Sequence, residues 1–203
     1  MARRFIFIPT SGPSFRAASK ATTPATQTAN NSGNTIIIPK PTGTLDGDIL
    51  VAAIDNAVGV GLAAPAGWTL LFTQGLGSGT IHEMSVYYKV ASSEGASYTW
   101  TGRADFAGGG VMVAIKDGNT TLDASASTNT LTVPNLSVTN SGSLLVAFAA
   151  AITTTHTPES FVSVAPLTER SDHICSGSAS YSNPAEVTIA TEGGLSAGTL
   201  SGR

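Results

Sequence analysis

Carboxylates, histidines and one thiol are the groups in this chain with obvious chemical potential, and few of them stand close together. Asp46-Gly47-Asp48 is the tightest carboxylate pair. A calcium loop needs several oxygen ligands at regular spacing, and two acids fall short of that. The same three residues suit a turn, because Asp bonds its own backbone and Gly accepts a positive φ. His82-Glu83, His156 with Glu159, and Asp172-His173 with Cys175 are fragments of metal-ligand sets. A zinc site needs three or four convergent ligands, and none of these spacings matches a known cluster. Glycoside hydrolysis needs two carboxylates across a cleft. Glu83, Glu94, Asp105, Asp123 and Glu159 are available, but nothing selects two of them. There is no Gly-x-Ser-x-Gly elbow and no Walker loop. Gly108-Gly109-Gly110 leads into a strand-like run, so the helix N-terminus that would hold a phosphate is missing. Cys175 is alone and reads as a small buried hydrophobe. The chain is therefore expected to be no enzyme and to carry no metal and no cofactor.

Aromatic residues are the other candidates, as a stacking platform for sugar or as core. Trp68 follows Pro65-Ala66-Gly67 and precedes Leu70-Leu71, which suits a buried anchor. Trp100 and Tyr88 are read as core anchors as well. Tyr87 falls out of phase with Met84, Val86 and Tyr88, so it is the aromatic expected to face solvent and make contacts.

The elements that must position these residues are strands. Met84 to Val90 and Val111 to Ile115 alternate with period two. Ile49 to Ile54 and Leu144 to Ile152 are continuous apolar runs with the length and flanks of buried strands. No capped, amphipathic pattern of period 3.6 appears. With turn signals every ten residues or so, the expected class is all-β, a sandwich or barrel.

Composition agrees. Only 11% of the 203 residues are charged, and the net charge is -3. In their place stand 23 Ser, 27 Thr and 22 Gly. That excludes coiled coils and helical bundles, and it leaves no basic surplus for binding nucleic acid. At 41% hydrophobic the chain is no disordered polymer. The longest apolar run is half a membrane span. The apolar stretch Phe5 to Ile8 is too short for a signal peptide despite Arg3 and Arg4 ahead of it, so synthesis in the cytoplasm and no membrane partner are expected.

Two stretches recur. Thr35-Ile-Ile-Ile-Pro39 with Gly47-Asp-Ile-Leu-Val-Ala52 returns as Thr130-Leu-Thr-Val-Pro134 with Gly142-Ser-Leu-Leu-Val-Ala147, all at one offset. Pro65 to Trp68 has a looser echo in Pro158 to Phe161. The second copy lacks the acids, which gives Gly47 and Gly142 a backbone role. Two related halves follow, either two small sandwiches (35–125 and 126–203) or interleaved halves of one jelly-roll-like β-sandwich over 35–203. The absence of a linker near 118–130 favours the single sandwich. Residues 1–34, rich in Ser, Thr, Ala and Asn, read as an extended N-terminal arm. Within it Arg3, Arg4, Phe5, Ile6, Phe7 and Ile8 form either a strand that adds to a neighbour's sheet edge or an ordinary first strand of the sandwich.

Gly47 to Ile54, Pro65-Ala66-Gly67-Trp68-Thr69-Leu70, Val86-Tyr87-Tyr88-Lys89-Val90-Ala91 and Tyr98-Thr99-Trp100-Thr101 together resemble a β-sandwich module of tailed-phage and prophage virion proteins. The resemblance covers about Thr35 to Gly118 well and the second half loosely. Such modules occur in capsid decoration proteins, head fibres, tail fibres and adhesive repeats, and they bring no catalytic residues. The resemblance implies a structural protein on the virion surface. Its partners would be the major capsid protein and further copies of itself, as trimer or dimer. Arg3 to Ile8 lie outside the matched stretch and are expected, on their own account, to take part in the capsid contact. The alternative is a tail-fibre or adhesin module that binds host-surface glycan.

Overall fold

Both apolar runs become central strands, and the alternating segments pair around them. The structure is a computed structural model describing residues 2–8, 12–22, 35–57, 62–76, 82–101, 108–118, 120, 125–128, 135–152, 167–175, 185–195 and 198–200. These residues form strands β1 (Ala2–Ile8), β2 (Ser14–Lys20), β3 (Thr35–Pro39), β4 (Ile49–Ala57), β5 (Thr69–Leu76), β6 (His82–Val90) and β7 (Ser97–Thr101). They continue with β8 (Gly109–Lys116), β9 (Ser125–Thr128), β10 (Leu136–Val138), β11 (Ser143–Ile152), β12 (Thr168–Cys175), β13 (Ala185–Leu195) and β14 (Gly198–Leu200). No helix occurs among the described residues, and so none is long and apolar enough to cross a membrane.

The strands make two five-stranded antiparallel sheets, β2-β8-β4-β6-β5 and β12-β13-β11-β1-β9, and two ribbons, β3-β7 and β10-β14. The two large sheets pack face to face. Ile49, Val51 and Ala53 of β4 meet Leu144, Val146, Phe148 and Ala150 of β11 in one core, with Met84, Val86, Val111, Val113, Ile115 and Ile189 around them. The opposite face of β4, with Leu50, Ala52 and Ile54, packs under the β3-β7 ribbon against Ile36, Ile38, Tyr98 and Trp100. A strand covered on both faces has no polar side to show, which is why β4 reads as an unbroken apolar run. The same holds for β11, where Leu145, Ala147 and Ala149 are buried opposite the shared core.

Read from opposite ends, the two sheets have one strand order: β2-β8-β4-β6-β5 and β9-β1-β11-β13-β12. The match equates β4 with β11, β6 with β13, β5 with β12, and the edges β2 and β9. It also equates the ribbons. Ile36 opposes Trp100 and Ile38 opposes Tyr98, while Leu136 opposes Leu200 and Val138 opposes Gly198. One equivalence breaks chain order: the counterpart of β8 is β1. The first half is contiguous from β2 to β8, whereas the second runs from β9 to β14 and takes its remaining strand from the other end of the chain.

The fold is thus an all-β sandwich of two related halves, with five plus two strands in each half where a jelly roll has two sheets of four. The boundary of the arm is corrected: β1 is the ordinary first strand, one of the two readings of Arg3 to Ile8, β2 is a sheet strand where only an arm is expected, and the sandwich begins at Ala2 rather than Thr35. Backbone ladders place both, and β2 adds Phe15 against the common core and Arg16 on Asp48. β2 runs along β8 from Ser14↔Lys116 to Lys20↔Val111 as an edge strand, whose half-exposed side chains need no apolar pattern. A division at 125/126 would deprive the second half of β1 and its share of the common core. The echoes at Thr130 to Pro134 and Pro158 to Phe161 lie outside the described residues.

Candidate functional site

One corner of the first half gathers most of the motifs singled out above. The chain enters β4 through Gly47 at φ 89°, a left-handed conformation that Gly adopts without Cβ strain. Gly47 N–H donates to the Ala91 carbonyl at 2.9 Å, and Ala91 N–H donates to the Asp48 carbonyl at 2.8 Å. These bonds clamp the start of β4 to the end of β6. Asp48 is buried, and its carboxylate accepts the Leu45 N–H at 2.8 Å. Arg16 reaches it from the edge strand. Its Nη2 donates to Oδ1 at 2.9 Å, and its Nε lies 2.5 Å from Oδ2, off the hydrogen-bond line. Arg16 sits where the register of β2 shifts between Phe15 and Ala17, and such a bulge re-aims a side chain. Asp46 Oδ1 accepts the Ser93 N–H at 2.7 Å, with Ser93 itself at φ 52°. Both carboxylates of the Asp46-Gly47-Asp48 turn are engaged in holding the corner together.

Beside it Glu94 acts as a hub. Its side chain, 5% exposed, accepts the Ser92 N–H, Lys89 Nζ and the Tyr98 hydroxyl, each at 2.9 Å. Lys40 Nζ donates to the Glu94 carbonyl at 3.3 Å. Burial pushes the Glu94 carboxyl up, but the bonds from Lys89, Ser92 and Tyr98 outweigh it, and the group ends below its ordinary value. The Tyr98 phenol moves up, first through burial and then through the adjoining carboxylate. Trp68 stands edge-on to Tyr98 with centroids 5.1 Å apart, and it is also 5.1 Å from Trp100. Trp100 is fully buried, whereas Trp68 is half-buried. Tyr88 is partly buried against the core between the sheets.

The expectation for Tyr87 is corrected. Its ring is buried, 6.2 Å from Trp100, because the outer face of β6 lies in the second core beside the β3-β7 ribbon rather than in water. The remaining polar candidates do not converge. Glu83 has its carboxyl raised by burial and then by Asp55. His173 is buried on β12, and its imidazole is held below the ordinary value by burial and by Lys20, against Asp172. Among the described residues no group of three or more His, Cys, Asp and Glu is placed to hold a metal ion. His156, Glu159, Asp105 and Asp123 lie outside the described residues, and Arg3 to Ile8 are described by their strand pairing alone. Sequence reasoning missed Arg16, which sits in a segment of arm-like composition. It also took Glu94 as a spare carboxylate; the signal was Lys89 five residues before it and Tyr98 four after, around a tight Ser-Ser-Glu-Gly turn.

No protein-family model, no curated protein and no solved structure matches this chain.

Proposed function

We propose that this chain is a structural protein of a tailed-phage virion that decorates the capsid surface through protein-protein contacts. One observation carries the reading. The four motifs that resemble the virion module fold into a single cross-braced corner, in which Gly47, Asp48, Trp68, Lys89, Ala91, Tyr98 and Trp100 hold one another. A corner of this kind is a rigid frame for presenting loops, and its ionisable groups are spent on bracing. Leu45 (59% exposed) and Val90 (45% exposed) lie on it and offer apolar contact to a neighbour. A glycan platform on Tyr87 and Trp100 is not favoured, since both rings are packed inside.

Quantitative mass spectrometry of purified particles tests the proposal. A copy number equal to that of the major shell protein, or a simple fraction of it, is expected for a lattice-wide decoration. A handful of copies per particle would move the protein to the tail or a vertex, and absence from particles would overturn the virion reading. Within it, Leu45→Glu with Val90→Glu is expected to abolish particle binding at an unchanged melting temperature. Full retention of binding would remove this corner from the interface.

A further inference from the structure

The slot between β11 and β9 is where chain connectivity and internal symmetry part company. In the first half that slot, between β4 and β2, is filled by β8 from the same contiguous stretch. In the second half it is filled by β1, which pairs with β11 from Ala2↔Ala150 to Ile8↔Leu144 and with β9 from Arg3↔Thr128 to Ile6↔Ser125. We propose that β1 is a donated strand: the slot between β11 and β9 of one copy accepts the β1 of a second copy, so that chains are linked by strand exchange.

Three observations support this. The second half, from β9 to β14, contains no strand of its own for the slot among the described residues, so β1 is an insertion from elsewhere whether it comes from the same chain or another. The strand is held by backbone ladders on both sides, and such a ladder forms equally well with an identical strand from a neighbour. The connection to β2 is short and must cross between sheets about 10 Å apart, because β1 lies in one sheet and β2 in the other. It reads Pro9-Thr-Ser-Gly-Pro13, with Gly12 at φ 103°. Pro13 favours extended backbone at the residue before it, while Gly12 is held at φ 103° instead. A short hinge in that position is the element that opens in domain swapping. Straightening it releases Gly12 from its left-handed conformation, and every β1 ladder bond is remade in the partner.

This inference stands apart from the capsid reading, because its test uses purified full-length chain and no particle. In a Cys175→Ser background, an Arg3→Cys chain and an Ala149→Cys chain are mixed, unfolded together, refolded and oxidised. Arg3 and Ala149 are register partners, and directly opposed strand residues lie within disulfide reach. Exchange predicts a mixed disulfide species of twice the chain mass, in a share that rises with protein concentration. It is expected to be absent when Ser97→Cys, on β7 of the first half, replaces Ala149→Cys. Failure of the mixed species to form, while an Arg3→Cys/Ala149→Cys chain closes within itself, overturns the proposal. So does failure of both, since β1 would then not lie on β11. A Gly-Ser-Gly-Ser insertion after Pro9 relaxes the hinge and is expected to lower the mixed share; an unchanged share overturns the role given to the hinge.

Discussion

At the start of β4 the chain turns through Gly47 at φ 89° into Asp48, and at the start of β11 it turns through Gly142 at φ 83° into Ser143. Both following side chains are buried and both tie back three residues. Asp48 accepts the Leu45 N–H at 2.8 Å, and Ser143 Oγ donates to the Asn140 carbonyl at 2.7 Å. Only the first carries a charge, and only the first is met by a cation from its edge strand. The matching edge strand β9 reads Ser-Ala-Ser-Thr and has no counterpart of Arg16. The ribbons differ in the same sense, with Tyr98 and Trp100 in one where the other has Gly198 and Leu200. Backbone and turn chemistry repeat between the halves, while the carboxylate met by an edge-strand arginine belongs, among the described residues, to the first. The second half is completed by a strand from outside its own stretch and by the shared core. A buried ion pair adds little net stability over an apolar substitute, yet losing one partner is costly. The charged corner therefore fixes a geometry more than it deepens a well.

The largest effect that would break this comparison is loss of the aromatic anchor. Trp100→Ala is expected to cost about 3–5 kcal/mol, as for other buried Trp truncations, read by urea unfolding. Leu200→Ala, at the matched position, is expected to cost less. Equal costs would mean that the ribbons are equally anchored. Next comes the corner itself. Asp48→Ser copies the second half's residue into the first and strands Arg16, at an expected cost of about 2–3 kcal/mol. Arg16→Ala/Asp48→Ser removes the stranded charge as well and is expected to recover part of that loss. A double-mutant cycle measures the coupling, and an additive result would show that the two side chains brace nothing together.

The corner was legible in part because its signals are local. Asp-Gly turn chemistry marked Gly47 and, through the repeat, Gly142, and both take positive φ. The strands from Met84 and from Val111, and the runs from Ile49 and from Leu144, announced themselves by period and length. Tyr87 was misread because alternation distinguishes two faces without saying what covers each, and here a ribbon covers the second face. For β1 the strand was legible and its partner was not, since nothing local in Phe5 to Ile8 says that it pairs with β11. The strand β2 was hidden for another reason: an edge strand with half-exposed side chains leaves no mark on side-chain periodicity. Arg16 and Asp48 lie far apart in sequence, so their pairing exists only once β2 is placed.

A smaller effect would sharpen the shared backbone. Gly47→Ala and Gly142→Ala should each cost about 1–2 kcal/mol, the price of a left-handed conformation for a residue with a Cβ. The two melting temperatures should fall together, since the turn is the same in both halves. A marked difference would show that one corner relaxes around the added methyl, and the equivalence of the two turns would fail.

The smallest effect separates the halves by pH. The His173 imidazole, in the second half, lies below its ordinary 6.5 in the folded chain because burial and Lys20 disfavour its charge. The unfolded chain then binds the proton more readily, so this stability is fully present above about pH 6.5 and drains away as pH falls below it. Glu94, in the first half, lies below its ordinary 4.5, so its contribution survives to lower pH and is lost only as pH falls below that value. Glu83 works with the opposite sign. Its carboxyl is raised above 4.5, so it favours the folded chain increasingly as pH falls toward that value and partly masks His173 in the same interval. Differences between variants remove the mask. His173→Gln should lose less stability than the parent chain between pH 6.5 and 4.5, and Glu94→Gln should differ from the parent in slope only below 4.5. If His173→Gln follows the parent throughout, the buried imidazole is not what acid attacks first, and the second half is no more sensitive than the braced one.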